Sequence, residues 1–177
     1  MIDNNLEAEK NKTLNLKESL EGLEVIKSNP VRISLNLTGK CNIRCIYCHL
    51  TYADYFSKDE FSIEDFEKID WALKKTSHLV YFSSTEPLSA THFKEIFINS
   101  KKYKTENYLS TNGIQITEEI AKLFVKEELN FLTISFGGLT ENTFIKAHKV
   151  NKLQDVLKKV ELINIYKKKN IRLPIPS

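Results

Sequence analysis

All three cysteines of this 177-residue chain fall within eight residues, Cys41-Asn42-Ile43-Arg44-Cys45-Ile46-Tyr47-Cys48. Their spacing is C-x3-C-x2-C. The run follows a strand-like apolar segment at 31–37, with Thr38-Gly39-Lys40 as the hinge and Gly39 supplying backbone freedom there. A structural zinc site, or an ordinary iron–sulfur cluster, takes four protein ligands. Three thiolates therefore leave one metal position open, which suits binding a small molecule better than bracing a fold. Two plainer readings stand beside this one. The cysteines could close a zinc site with His49 or His78 as fourth ligand, making an interaction module, or they could stay unliganded. Three thiols in eight residues favour convergence on a metal over scattered burial.

Composition limits the function classes. Hydrophobic residues make up 41% and charged residues 28%, as in a globular domain with its own core. The net charge of +3 is mild and its lysines are interspersed with acids, so no nucleic-acid footprint is expected. No apolar run approaches the about 20 residues needed to span a bilayer, and the polar start lacks a signal-peptide core. A cytoplasmic protein with reduced thiols is the expectation.

Residues 1–30 are expected to form an N-terminal leader or helix, with Leu16, Leu20, Leu23 and Ile26 at helical spacing over Leu14 to Ile26. The core is expected over 31–177. Strands are expected at 31–37, 79–83, about 106–110, 131–135 and 171–175. Helices are expected at 62–75, about 89–103, about 117–128, 140–148 and 152–168. This alternation predicts an α/β fold with about five parallel strands and outer helices. In such folds chemistry collects at the C-terminal ends of strands. Here four successive strands end in the cysteine loop, in Ser83-Ser84-Thr85-Glu86-Pro87, in Thr111-Asn112-Gly113 and in Ser135-Phe136-Gly137-Gly138.

Gly-Lys-Cys-Asn-x-x-Cys-x-Tyr-Cys after a first strand, followed by Glu86-Pro87 after the second, resembles the radical S-adenosylmethionine (SAM) enzymes over roughly residues 31–175. The resemblance is to the peptide-maturing, SPASM-associated branch. It implies a partial (β/α) barrel and a [4Fe–4S] cluster held by Cys41, Cys45 and Cys48. SAM would occupy the fourth iron through its amino and carboxylate groups. It also implies reductive cleavage of SAM to methionine and a 5′-deoxyadenosyl radical that takes hydrogen from a substrate.

The resemblance carries over residue by residue. Glu86 would receive the SAM ammonium, with Ser84 and Thr85 standing where the family usually has two glycines. Asn112 would bond cofactor or substrate, Ser135 a ribose hydroxyl or the methionine carboxylate, and Tyr47 would lie near the adenine. Each has a plainer role beside it: a helix-start acid for Glu86, a turn for Asn112, a local backbone bond for Ser135 and packing for Tyr47. Gly137 stands where many peptide-modifying relatives carry an acid. His78, His92 and His148 have no metal-like spacing and are not singled out. The implied partners are a peptide substrate and an electron donor such as flavodoxin or ferredoxin. The strand count stops short of the family's six, so a truncated product, a deliberately short domain or a partner chain completing the barrel is expected. No C-terminal domain with further cluster-binding cysteines is present in the sequence. The alternative to an active enzyme is a remnant that keeps the cluster and cleaves SAM weakly.

Overall fold

A computed structural model describes residues 4–52, 57, 59–82 and 84–171. Four strands, β1 (Arg32–Ser34), β2 (His78–Tyr81), β3 (Glu106–Thr111) and β4 (Phe131–Ile134), form a parallel sheet in the order β1-β2-β3-β4. Consecutive neighbours in a parallel sheet require helical crossovers. These are α2 (Ile63–Lys68) and α3 (Asp70–Leu73), then α4 (Phe93–Ser100), then α5 (Glu118–Lys126). The chain continues into α6 (Glu141–His148) and α7 (Leu153–Ile171), and α7 packs against α5.

The helix starts follow the local sequence. Ser62 and Asp65 make a reciprocal capping box, and the Thr117 hydroxyl accepts the Ile120 N–H. Thr140 and Thr143 cap α6 in the same reciprocal way. The expected single helix at 62–75 is interrupted at Ile69, which caps both α2 and α3. The expected helix at 89–103 is α4 flanked by 3₁₀ turns at Pro87–Ser89 and Lys101–Tyr103.

One face of the sheet is sealed. Leu79, Tyr81 and Leu109 point into a core completed by Phe66, Leu73, Phe93, Ile96, Phe97 and Phe124. Tyr81 packs edge-on against Phe93 and Phe97, each at 5.8 Å between ring centroids. Its buried hydroxyl, with one proton to give, lies 2.7 Å from Ser100 Oγ and 2.9 Å from Asn107 Oδ1. The opposite, concave face carries the alternate residues. Tyr108 stacks on Phe131 at 4.4 Å, and both Phe82 and Phe131 are exposed. This is the architecture of a partial barrel with outer helices and an open interior face.

Three expectations change. Ile171, expected to open a fifth strand at 171–175, is the last residue of α7, and 172–175 lie outside the described residues. Strand one is short, although Leu35 N–H still reaches Val80 O at 2.9 Å.

The first helix, α1, spans Asn4–Leu20 rather than Leu14 to Ile26. It ends in a Schellman motif at Gly22, whose φ is +63°. There Gly22 N–H bonds Ser19 O and Leu23 N–H bonds Glu18 O. Leu23 and Ile26 therefore leave the helix, and Leu16, Leu20, Leu23 and Ile26 are all exposed. What α1 buries is Ala8, Asn11 and Glu18. Asn11 donates to the carbonyls of Asn29 and Lys75, and Glu18 accepts from Lys27 N and Ser28 N. The docking is polar, which a search for an apolar stripe does not see.

Candidate functional site

The cysteine loop leaves the C-terminal end of β1 and is fastened on several sides. Gly39 is needed for closeness rather than for unusual angles, because a Cβ there would lie 2.1 Å from Ser57 O. Glu86 N–H bonds Lys40 O at 3.1 Å, and the Thr85 hydroxyl donates to Thr38 O at 2.6 Å, so the end of β2 holds the loop's entry. Asn112 Nδ2 donates to Asn42 Oδ1 at 2.7 Å, tying in the end of β3. Ile46 N–H bonds Ala147 O at 2.9 Å, which adds the end of α6. Lys40 pairs with Glu60 at 2.5 Å, and Arg44 Nη1 donates to the carbonyls of Cys41 and Ile43.

A cavity of about 290 Å³ opens over this loop. Cys41, Cys45, Cys48 and Tyr47 line it from the loop, Ser84, Thr85 and Glu86 from the end of β2, Asn112 from β3 and Ser135 from β4. Every residue expected at the site thus faces one space at the C-terminal edge of the sheet. The volume lies at the low end for small-molecule sites, which run from about 300 Å³ upward.

The individual environments differ. Glu86 is 2% exposed, and its carboxylate joins two strand ends. Oε1 accepts from Thr111 Oγ1 at 2.6 Å and from Leu88 N at 3.1 Å, and Oε2 accepts from Asn112 N at 2.8 Å. Burial raises its pKa above the ordinary carboxylate value, and these three donors oppose the rise. The Leu88 bond also makes Glu86 the N-cap of the following 3₁₀ turn, so a helix-start role and a cavity position coexist. Asn112 is buried, and its Oδ1 accepts from Ile114 N in the turn while its Nδ2 reaches the loop. Ser135 and Ser84 are exposed at the rim. Tyr47 is 63% exposed, so it is not a core residue.

The cysteines are half-buried and free of disulfides. Burial raises the pKa of Cys41 and Cys45, so their thiolate form needs a compensating positive charge such as bound iron would supply. Among the described residues no three His, Cys, Asp or Glu side chains converge closely enough to hold a single metal ion. A four-iron cluster spreads its thiolates over separate irons, so this three-cysteine rim fits a cluster better than zinc. His78, one suggested fourth zinc ligand, sits at the opposite end of β2 beside Glu106 and Tyr108.

His148, which has no sequence signal, is the residue that sequence reasoning passed over. It is the last residue of α6 and 1% exposed. Its Nδ1 lies 3.1 Å from Cys45 Sγ, and its Nε2 accepts the Gly137 N–H at 2.7 Å. Burial lowers its pKa, favouring the neutral ring. A Cβ on residue 137 would meet Ala147 Cβ at 2.3 Å and His148 Nε2 at 2.8 Å, so the glycine there makes room for the imidazole.

Comparison with known proteins agrees with this geometry. The sequence model of the Radical SAM superfamily matches residues 35–174. The chain belongs to the radical SAM superfamily. Members of this superfamily are enzymes that bind a [4Fe–4S] cluster and SAM. Relatives include Fe-coproporphyrin III synthase of Methanosarcina barkeri, 27% identical over 120 residues, or 67% of this chain and 30% of that protein. GTP 3′,8-cyclase of Clostridium botulinum is 27% identical over 141 residues, or 76% of this chain and 43% of that enzyme. This radical SAM chain thus spans less than half the length of either relative. Its fold matches Streptococcus suis SuiB bound to SAM with a TM-score of 0.70 at 16% identity, over 88% of this chain and 35% of SuiB. The same protein bound to its precursor peptide SuiA matches with a TM-score of 0.67 at 12% identity, over 88% and 34%. Among the described residues no helix is long and apolar enough to cross a membrane.

Proposed function

We propose that this chain is the cofactor-bearing core of a radical SAM enzyme that abstracts hydrogen from a peptide. The observation that carries the reading is the shared cavity. Three cysteines from β1's loop and polar groups from the ends of β2, β3 and β4 all face it. Cys41, Cys45 and Cys48 would hold the cluster, and SAM on the cluster would supply the 5′-deoxyadenosyl radical. Glu86 would receive the ammonium of SAM. Among the described residues its Oε2 accepts one bond and its Oε1 two, so its remaining acceptor capacity lies on Oε2. Ser84, Thr85, Asn112 and Ser135 would border the methionine and ribose, and Tyr47 would lie beside the adenine.

A peptide is favoured as substrate because the concave face is open and aromatic, and because the similarly folded SuiB binds the precursor peptide SuiA. That open face, with β4 at the sheet's edge, also supports a further chain or segment completing the barrel. A flavodoxin or ferredoxin would supply electrons, and a reducing cytoplasm would keep these half-buried thiols free for a cluster. Residues 1–30 would act as an appended helical element on the core at 31–177.

A second reading, a cluster-holding domain that cleaves SAM slowly, is favoured by Ser84 and Thr85 in place of glycines. Anaerobic reconstitution tests both. About four irons and four sulfides per chain are expected, with 5′-deoxyadenosine formed from SAM under dithionite. Rapid formation supports the enzyme, a loaded cluster with slow formation supports the second reading, and stoichiometric zinc without iron uptake refutes both.

A further inference from the structure

His148 is held through both ring nitrogens. Nε2 accepts the backbone N–H of Gly137 at 2.7 Å, so Nε2 carries no proton. A neutral imidazole must then carry its proton on Nδ1. Nδ1 lies 3.1 Å from Cys45 Sγ, so the imidazole is the donor and the sulfur the acceptor. The ring has little freedom to turn away. It is 1% exposed, Phe144 packs on it at 4.4 Å and Tyr47 stands edge-on at 6.1 Å. The cysteine loop is fixed beside it by the Ile46 N–H to Ala147 O bond at 2.9 Å. Glycine at 137 keeps the space that the ring occupies.

We infer that His148 is a positioning residue that donates a permanent N–H···S hydrogen bond to the Cys45 ligand sulfur and thereby raises the reduction potential of the cluster. The inference rests on the cluster reading above. Reduction adds negative charge to the cluster and its thiolates, and a fixed donor aimed at one thiolate stabilises the reduced form more than the oxidised one. Hydrogen bonds to ligating sulfurs are an established lever on iron–sulfur potentials. The short N···S distance also argues against the imidazole ligating the open iron, because that iron is a different one from the iron Cys45 would hold.

Two substitutions divide the ring's two bonds. In His148→Gln the side-chain oxygen can reach the Nε2 position and keep the Gly137 bond, but the Cys45 sulfur loses the imidazole donor and keeps only the Tyr47 hydroxyl. In His148→Asn the amide nitrogen occupies the Nδ1 position and keeps the donor, while the Gly137 bond is lost. The reconstituted 177-residue chains are poised at a series of potentials, and the reduced cluster is counted by electron paramagnetic resonance. At the wild-type midpoint, His148→Gln is expected to hold about tenfold less reduced relative to oxidised cluster, about 59 mV for a one-electron couple. His148→Asn is expected to stay near wild type. A purely structural role predicts no fall in potential for Gln. Equal potentials for wild type and Gln would overturn the inference, as would a shift in Asn and not in Gln.

A second measurement needs no substitution at 148. Protein labelled with 15N-histidine, with His49→Gln silencing the imidazole next to Cys48, should show a weak nitrogen coupling to the reduced cluster, carried through the N–H···S bond. A strong coupling, as from iron-bound imidazole, or no coupling would refute the assignment. Iron content separates the two levels: a loaded cluster indifferent to residue 148 overturns this inference alone, whereas a chain that takes up no cluster overturns the cluster reading with it.

Discussion

Replacing Glu86 by Gln tests whether this carboxylate is both a strap and a cofactor contact. The wild-type group is 2% exposed and accepts three hydrogen bonds, two of them from backbone N–H groups. Glutamine keeps the shape but turns one oxygen into a donor. If its NH2 replaces Oε2, it faces Asn112 N–H. If it replaces Oε1, it faces Leu88 N–H. Either way one buried backbone donor loses its acceptor, at a cost of about 1–3 kcal/mol. For a domain of this size that lowers the melting temperature by roughly 2–4 °C per kcal/mol. Loss of the charge should also weaken SAM binding. A charge-assisted bond is worth about 1.5–3 kcal/mol, or roughly ten- to hundredfold in Kd. The assays are urea unfolding and anaerobic equilibrium dialysis with SAM, with iron content expected to be unchanged. Equal stability and equal affinity in the two proteins would refute both roles. A stability loss with unaltered SAM affinity would reduce Glu86 to a tie between the ends of β2 and β3.

Replacing Cys45 by Ala should abolish cluster uptake while the fold, measured by circular dichroism, persists, because the sheet core does not depend on the loop. Glu60 supplies the pH test. Hydrogen bonds from Lys40 and then Thr91 lower its pKa from 4.5 to about 2. Its stabilising contribution is therefore present above the ordinary carboxylate value and lost as the pH falls toward 2. The stability difference between wild type and Glu60→Gln should shrink over that window and weaken with added salt, since Lys40 is half exposed. Tyr81→Phe should cost only about 1 kcal/mol in urea unfolding. Ser100 Oγ and Asn107 Oδ1 stay bonded to each other at 3.0 Å once the phenol is gone.

Most of the sheet was legible in the sequence because its strands alternate with helices that carry their own caps. Ser62, Thr117 and Thr140 each begin a helix at the residue where the pattern places one. The cysteine loop was legible for a different reason: three thiols in eight residues have few uses. The first helix differs from the leucine spacing, which places it over Leu14 to Ile26, because Gly22 stops it early and Asn11 and Glu18 dock it through backbone groups. His148 was illegible because its meaning is tertiary. It lies 103 residues from Cys45, and only the return of α6 toward the loop brings the two together. Gly137 could be read as a missing acid. That the position has no room for any side chain became visible only beside Ala147 and the imidazole.

The clasp between α6 and the cysteine loop bears on how the protein is made. Ile46 is held by Ala147 and Cys45 by His148, so two of the loop's fasteners are encoded about 100 residues downstream of it. At roughly 5–20 residues per second of synthesis, the thiols leave the ribosome about 5–20 s before their fasteners exist. During that interval the loop lacks both tethers, and its cysteines are open to oxidants and to adventitious metal. Iron delivered after release meets a loop already shaped by α6, whereas iron delivered earlier must be carried on a slack segment until the clasp closes.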